Sequence, residues 1–366
     1  MENKDRIYII DLFRFIAALS VVFFHYAFLG SHFGKSALSL PFLAPIAKYG
    51  FLGVELFFII SGFVILMSAW DADVIGFLSS RVGRLYPAYW VCCTLTTVVL
   101  LISPIDVSTV SIKQYLINMT MLNGFVNINN IDGSYWTLMY EITFYALIAF
   151  VLLIRKIKYS EYFAYIWLTL SIACIYLNFG SDSILSKIAN KLTLGSYSSL
   201  FIYGMLLFLI WKHGLTISKS IGLAASCGLS IYSSVNRAIN NNTYSNYDLS
   251  IPVVVAIDSF ILIIMFLAAI KVLKLKKLRI VSILGALSYP LYLLHHTIGY
   301  AIFNQLYNKI NTNILVIFTF TFMFILSFLV SHYIESKWCK TLRTFIEACL
   351  RKILRTKQFN RSDVSR

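Results

Sequence analysis

Apolar side chains run along this chain in blocks of about 20 residues, parted by short polar stretches. Roughly 20 mostly apolar residues are what a helix needs to cross a bilayer. Ten such blocks are predicted to be helical spans: 8–28, 50–69, 84–103, 136–154, 161–179, 195–211, 216–234, 252–271, 280–303 and 313–334. The fourth carries Glu141, and only a few residues part the sixth from the seventh. The expected fold is therefore all-α, a polytopic membrane protein of about ten transmembrane helices. No internal repeat is visible, so the inverted-repeat plan of many transporters has no support in this chain. The polar segment "SVNRAINNNTYSNYDLS" is expected to be an irregular loop.

The pattern changes near residue 336, which divides an expected membrane domain (1–336) from a basic tail (337–366). In the tail, Leu342, Phe345, Ile346, Cys349, Leu350, Ile353 and Leu354 recur at helical spacing, and basic residues fill the other face. That pattern predicts an amphipathic interfacial helix on an anionic leaflet.

Composition agrees with the pattern. Of the 366 residues 59% are hydrophobic and 13% charged, against about a quarter charged in a soluble domain. The formal charge of +15 does not call for nucleic acid as a partner, because the basic residues sit between the apolar blocks. With the N-terminus placed in the cytoplasm, Lys35, Lys48, Lys113, Lys187, Lys191, Arg237 and Lys309 fall outside. The other 24 of the 31 basic residues fall inside. That asymmetry predicts cytoplasmic N- and C-termini, and losing one span would scramble it. The first block is long and contains Arg14, so it reads as a retained helix and no cleavable signal peptide is expected. Cysteines 92, 93, 174, 227, 339 and 349 have no metal-type spacing, and no metal is expected.

Ionisable residues inside the blocks are the candidates for chemistry, since each costs free energy in hydrocarbon. Arg14 and His25 are eleven residues apart. On a helix that separation is ~16 Å along the axis and within ~20° of one face. One stripe therefore carries a fixed cation near the cytoplasm and an imidazole near the outer surface. Glu55 in "GVELFFIISGF" lies about two turns from the outer surface, with Ser61 deeper. Glu141 in "GSYWTLMYEITFYAL" is expected at a similar depth, and so is His295 in "LGALSYPLYLLHHTI". A carboxylate beside an imidazole raises its pKa and orients it, as a general base requires. Tyr135 and Trp136 suit either the lining of that site or the aromatic belt at the interface. On the cytoplasmic side, Arg81 and Arg84 stand three apart on one helix face. Paired arginines match phosphate oxygens, and they are also what the positive-inside rule places there. Asp11 and Glu335 lie at the same level and are candidate partners for Arg14.

Six motifs in order resemble the integral membrane acyltransferase 3 family, whose members acylate cell-surface glycans. The arginine–ten residues–histidine motif corresponds to Arg14 and His25, and "GVDLFFVISGF" to "GVELFFIISGF". An arginine pair before L-x-P-x-Y corresponds to Arg81, Arg84 and "RLYPAYW". "WSLSVEEQFY" corresponds to "WTLMYEITFY", and the late motifs to "SYPLYLLHH" and "YIESKW". The likeness spans residues 6 to about 340. It departs from the family at "DLFRF", which lacks the usual flanking glycines, and at Ile142 and Thr143, which replace the second glutamate and the glutamine. Only Glu141 is carried over from that motif.

The resemblance implies an O-acyltransferase, most simply an O-acetyltransferase, of the bacterial inner membrane. Acetyl-CoA or another acyl-CoA would be co-substrate, with no bound cofactor. The acceptor would be a surface polysaccharide or lipopolysaccharide O-antigen sugar, possibly still lipid-linked. On this reading Arg14, Arg81 and Arg84 bind the acyl-CoA, while His25, Glu141 and Glu55 form the catalytic set. Ser61, Tyr135, Trp136 and His295 are expected to line the site. The competing reading is a permease for a lipid-linked glycan or small anion, and a second leaves the enzyme but makes the acceptor a small molecule or lipid.

Overall fold

A helix that is apolar on every side has to be covered on every side. The segment Gly53–Ala69 (α2) is of this kind, and with Ser198–His213 (α6) it forms the centre of the molecule. The two cross where glycines meet: a Cβ on Gly62 would strike the Phe201 carbonyl, and one on Gly204 that of Ile59. Small residues at such a crossing let two backbones pack directly, and this is how helices associate in a bilayer. In the computed structural model the described residues are 7–103, 110–176 and 193–364, with side chains described as far as 353. Lys4, Arg6, Lys187, Lys191, Leu354, the basic residues after 353 and the end of the fifth predicted span lie outside what is described.

The other long helices build outward from this centre. They are Tyr8–Phe24 (α1), Val74–Ile102 (α3), Trp136–Leu153 (α4) and Ser160–Tyr176 (α5). Ile217–Ser245 (α7), Ile251–Ala269 (α8), Arg279–Leu306 (α9), Thr312–Leu329 (α10) and Ser336–Val364 (α11) follow. α1 packs between α2 and α9, and α9 also packs on α3 and α10. α4 closes the space between α2 and α3, while α5, α7 and α8 cover α6. The described residues are helix and connecting loop, with no strand among them. Each of the ten predicted blocks overlaps one of these helices, several with shifted ends. Among the described residues, six stretches are long and apolar enough to cross a membrane. In α7 and α9 the apolar residues are diluted by polar ones.

Three boundaries differ from expectation for physical reasons. α3 begins at Val74, ahead of the predicted 84, because Asp73 caps it: its carboxylate accepts the Gly76 N–H at 2.8 Å. That bond, together with Arg351, holds the Asp73 carboxyl below the usual carboxylate range. Arg81 and Arg84 consequently lie inside the helix. α7 continues to Ser245, so most of the predicted irregular loop is helical. Its buried face is made of Ser226, Ser230, Ser233 and Ser234, polar in composition yet small enough to pack. Third, residues 330–335 form a π turn that leads from α10 into α11, so the helix does not end with the predicted span at residue 334. α11 lies along α3, where Gly83 admits the Cys339 carbonyl and Arg343, and an Arg351–Asp73 ion pair of 2.9 Å ties the two.

Candidate active site

α1 ends in a second π turn, His25–Leu29. Such a turn shifts the hydrogen-bond ladder by one residue and leaves groups to be satisfied from outside. Here Tyr300 donates to the His25 carbonyl at 3.2 Å, and Tyr26 donates to the His295 carbonyl at 2.8 Å. These bonds lock the end of α1 against α9 and bring three imidazoles together. The His25 ring lies 4.8 Å from that of His295 and 4.7 Å from that of His296.

Hydrogen-bond accounting fixes the tautomers. His295 Nδ1 faces the carbonyls of Tyr292 (2.8 Å) and Leu291 (3.1 Å), so it must carry a proton. In a neutral ring, His295 Nε2 then accepts. It sits 3.0 Å from His25 Nδ1, which is also 2.8 Å from the Val21 carbonyl. His25 Nδ1 is therefore the donor to both. The lone pair of the neutral His25 ring is on Nε2, which no described residue occupies with a hydrogen bond. A ring held through one nitrogen with the other unprotonated is the arrangement a general base requires.

The carboxylate at this cluster is Asp132, which the sequence reading did not single out. It is fully buried, accepts from the Ser134 N–H (2.8 Å), the Ser134 hydroxyl (2.6 Å) and the Thr297 N–H (3.0 Å), and faces His296 Nδ1 at 3.6 Å. Gly133 has no Cβ because the His296 ring occupies that space. Asp132→Ala would remove the acceptor of three buried hydrogen bonds and is expected to cost about 2–4 kcal/mol. Unfolding of the purified protein in detergent would check this, and a change below about 0.5 kcal/mol would refute the role assigned to Asp132.

The two predicted glutamates lie elsewhere. Glu141 accepts the Tyr145 hydroxyl at 2.5 Å and lines a cleft with Arg14, Arg81 and Arg84. A carboxylate in an apolar surround is stabilised more by guanidinium groups than by a neutral imidazole. Glu55 is buried and accepts from Arg237 at 2.5 Å and from Ser234 at 3.1 Å, both on α7. Neither makes a hydrogen bond to His25, so the expected orientation of His25 by Glu141 or Glu55 is not present. Arg237, assigned above to an outer loop, points inward because its loop is helix. It also donates to the Ser196 carbonyl at 2.9 Å and lies 4.4 Å from the Tyr197 ring.

The cleft runs from the three arginines past Phe57, Ser61 and Val64 to Thr137 and Tyr292. Arg81 stacks between the Phe77 and Tyr145 rings at 5.9 Å from each, with its Nε unpartnered. Ser61 is a wall of the cleft, and His295 contacts His25. Tyr135 instead donates to the Leu293 carbonyl, and Trp136 packs with Phe58, Tyr140 and Tyr197, so neither forms a wall. Glu335 accepts from Ser331 and, with Asp11, borders a wider basin that opens from the arginines. The cleft stops at Tyr292, whose ring lies 5.8 Å from that of His295.

A family model described as an acyltransferase domain matches residues 7–334. Among curated proteins, Nodulation protein 10 of Rhizobium leguminosarum bv. viciae is 29% identical over 166 residues. The match covers 39% of this chain and 43% of that protein, so the chain spans under half the length of this relative. No solved structure matches.

Proposed function

This chain belongs to that acyltransferase family, and we propose that it is a membrane O-acyltransferase, most simply an O-acetyltransferase, working across the inner membrane of a bacterium. The donor is cytoplasmic acyl-CoA, and the acceptor is a hydroxyl of a surface polysaccharide or O-antigen sugar. Both termini are cytoplasmic on this reading, which sets the arginines inside and the histidines towards the outer face. The observation that carries the reading is the cleft with cations at one end and, behind Tyr292 at the other, an imidazole with a free Nε2.

The chemistry follows from these groups. Arg14, Arg81 and Arg84 hold the donor's phosphates, as guanidinium groups do well. The apolar walls take the pantetheine arm. His25 Nε2 removes the proton of the acceptor hydroxyl as its oxygen attacks the thioester carbonyl. The carbon–sulfur bond breaks, the acyl group stays on the sugar oxygen, and the leaving thiolate receives the proton from the imidazolium. His295 holds His25 through Nδ1 throughout, while Asp132 and His296 fix the neighbouring ring face.

Purified protein in liposomes, given labelled acetyl-CoA and a glycan extract, is expected to move label to the glycan. Mass spectrometry of surface glycans from a deletion strain should show the loss of one acyl group and so name the sugar. Label on a small molecule or lipid would change the acceptor. Glycan transport with no label moved would replace the enzyme by a permease.

A further inference from the structure

Beyond the cleft the three arginines also border the wider basin. Its opposite wall is α11, which contributes Lys340 and Arg343, three apart and so on one face. Both side chains are exposed, and neither forms an ion pair with a described residue. Against five cations the basin sets two acids, Asp11 and Glu335. The buried Arg81 Nε, with no hydrogen-bond partner, lies between basin and cleft. α11 is fixed as a wall by its contact at Gly83 and by the Arg351–Asp73 pair.

A basin lined by five cations suits the phosphates of a nucleotide better than an uncharged pantetheine arm. Coenzyme A carries two kinds of phosphate, a diphosphate next to the arm and a monophosphate on the ribose 3′ oxygen at its far end. We propose that Lys340 and Arg343 of α11 bind the terminal 3′-phosphate of the donor, while Arg14, Arg81 and Arg84 hold the diphosphate. This rests on the acyl-CoA reading given above. It makes the C-terminal helix part of the donor site and not solely a contact with the leaflet.

The test is binding by the full-length protein in detergent, with adenosine 3′,5′-bisphosphate and AMP as probes. The wild type is expected to bind the bisphosphate on the order of tenfold more tightly, one charge-assisted contact's worth. In the double variant Lys340→Gln, Arg343→Gln that preference disappears and AMP binding is kept. In liposomes the variant raises KM for acetyl-CoA by a similar factor and moves KM for the 3′-dephospho donor little. No preference in the wild type, or equal loss on both probes, would overturn the assignment. So would a KM effect that appears only with anionic lipid, which marks the pair as a headgroup site. Failure of the acyl-CoA reading looks different: the wild type then transfers no acyl group whatever it binds.

Discussion

Replacing His25 by alanine is expected to lower kcat for acyl transfer by roughly 10²–10⁴-fold, the usual worth of a positioned general base. The reason lies in one pair of hydrogen bonds. Val21 and His295 both take the proton on Nδ1, which leaves Nε2 as the basic atom. An asparagine or glutamine has no basic nitrogen and should be as inactive as alanine. His295→Ala should do less, because it removes one of two acceptors and Val21 remains. The measurement is label transfer from acetyl-CoA, with folding monitored by the melting temperature of each variant. Full activity in His25→Ala would remove His25 from the mechanism.

Arg237→Ala is expected to be the most destabilising single change among those considered, at about 3–5 kcal/mol, the cost of leaving a buried charge without its partner. Glu55 then loses its cation, and Asp258 on α8, whose carboxylate oxygens have no hydrogen-bond partner, lies within electrostatic reach of both. Glu55→Gln should cost clearly less, because one guanidinium and one carboxylate remain. The asymmetry is the informative part, since two acids share one base. Unfolding in detergent would decide it, and equal losses in the two variants would show that the cluster is not balanced in this way.

Much of this was legible in the chain because depth is written in one dimension. Arg14 and His25 share a helix, so their spacing gave both their separation and their common face. Which residues meet across helices was less accessible. Glu141 was placed by its distance from the helix start, but the arginines that share its cleft come from α1 and α3. Asp132 stands four residues before the predicted span, in "IDGSYW", where it reads as a turn residue. The adjoining Gly133 was the available signal, since a glycine there marks close approach by another group. Arg237 was lost because a serine- and asparagine-rich helix has the composition of a loop. The π turn at His25 had no sequence signature at all. It depends on Tyr26 and Tyr300 supplying bonds from neighbouring positions in space.

The cleft's closed end has a consequence for the cell as well as for the reaction. Tyr292 donates to the Ser134 carbonyl at 2.7 Å and shares a 2.8 Å bond with Thr137, so its ring stands as a fixed partition before the histidines. A thioester reaches His25 only when that ring turns aside, as gating side chains do in other enzymes. On the acyl-CoA reading, the ring would also part water in the cleft from the imidazoles while it stands. A catalyst that accepts substrate from one compartment and delivers product in another would otherwise leak the proton gradient that powers its membrane. On the acyl-CoA reading the same tyrosine would delay the donor and keep the membrane insulated between turnovers.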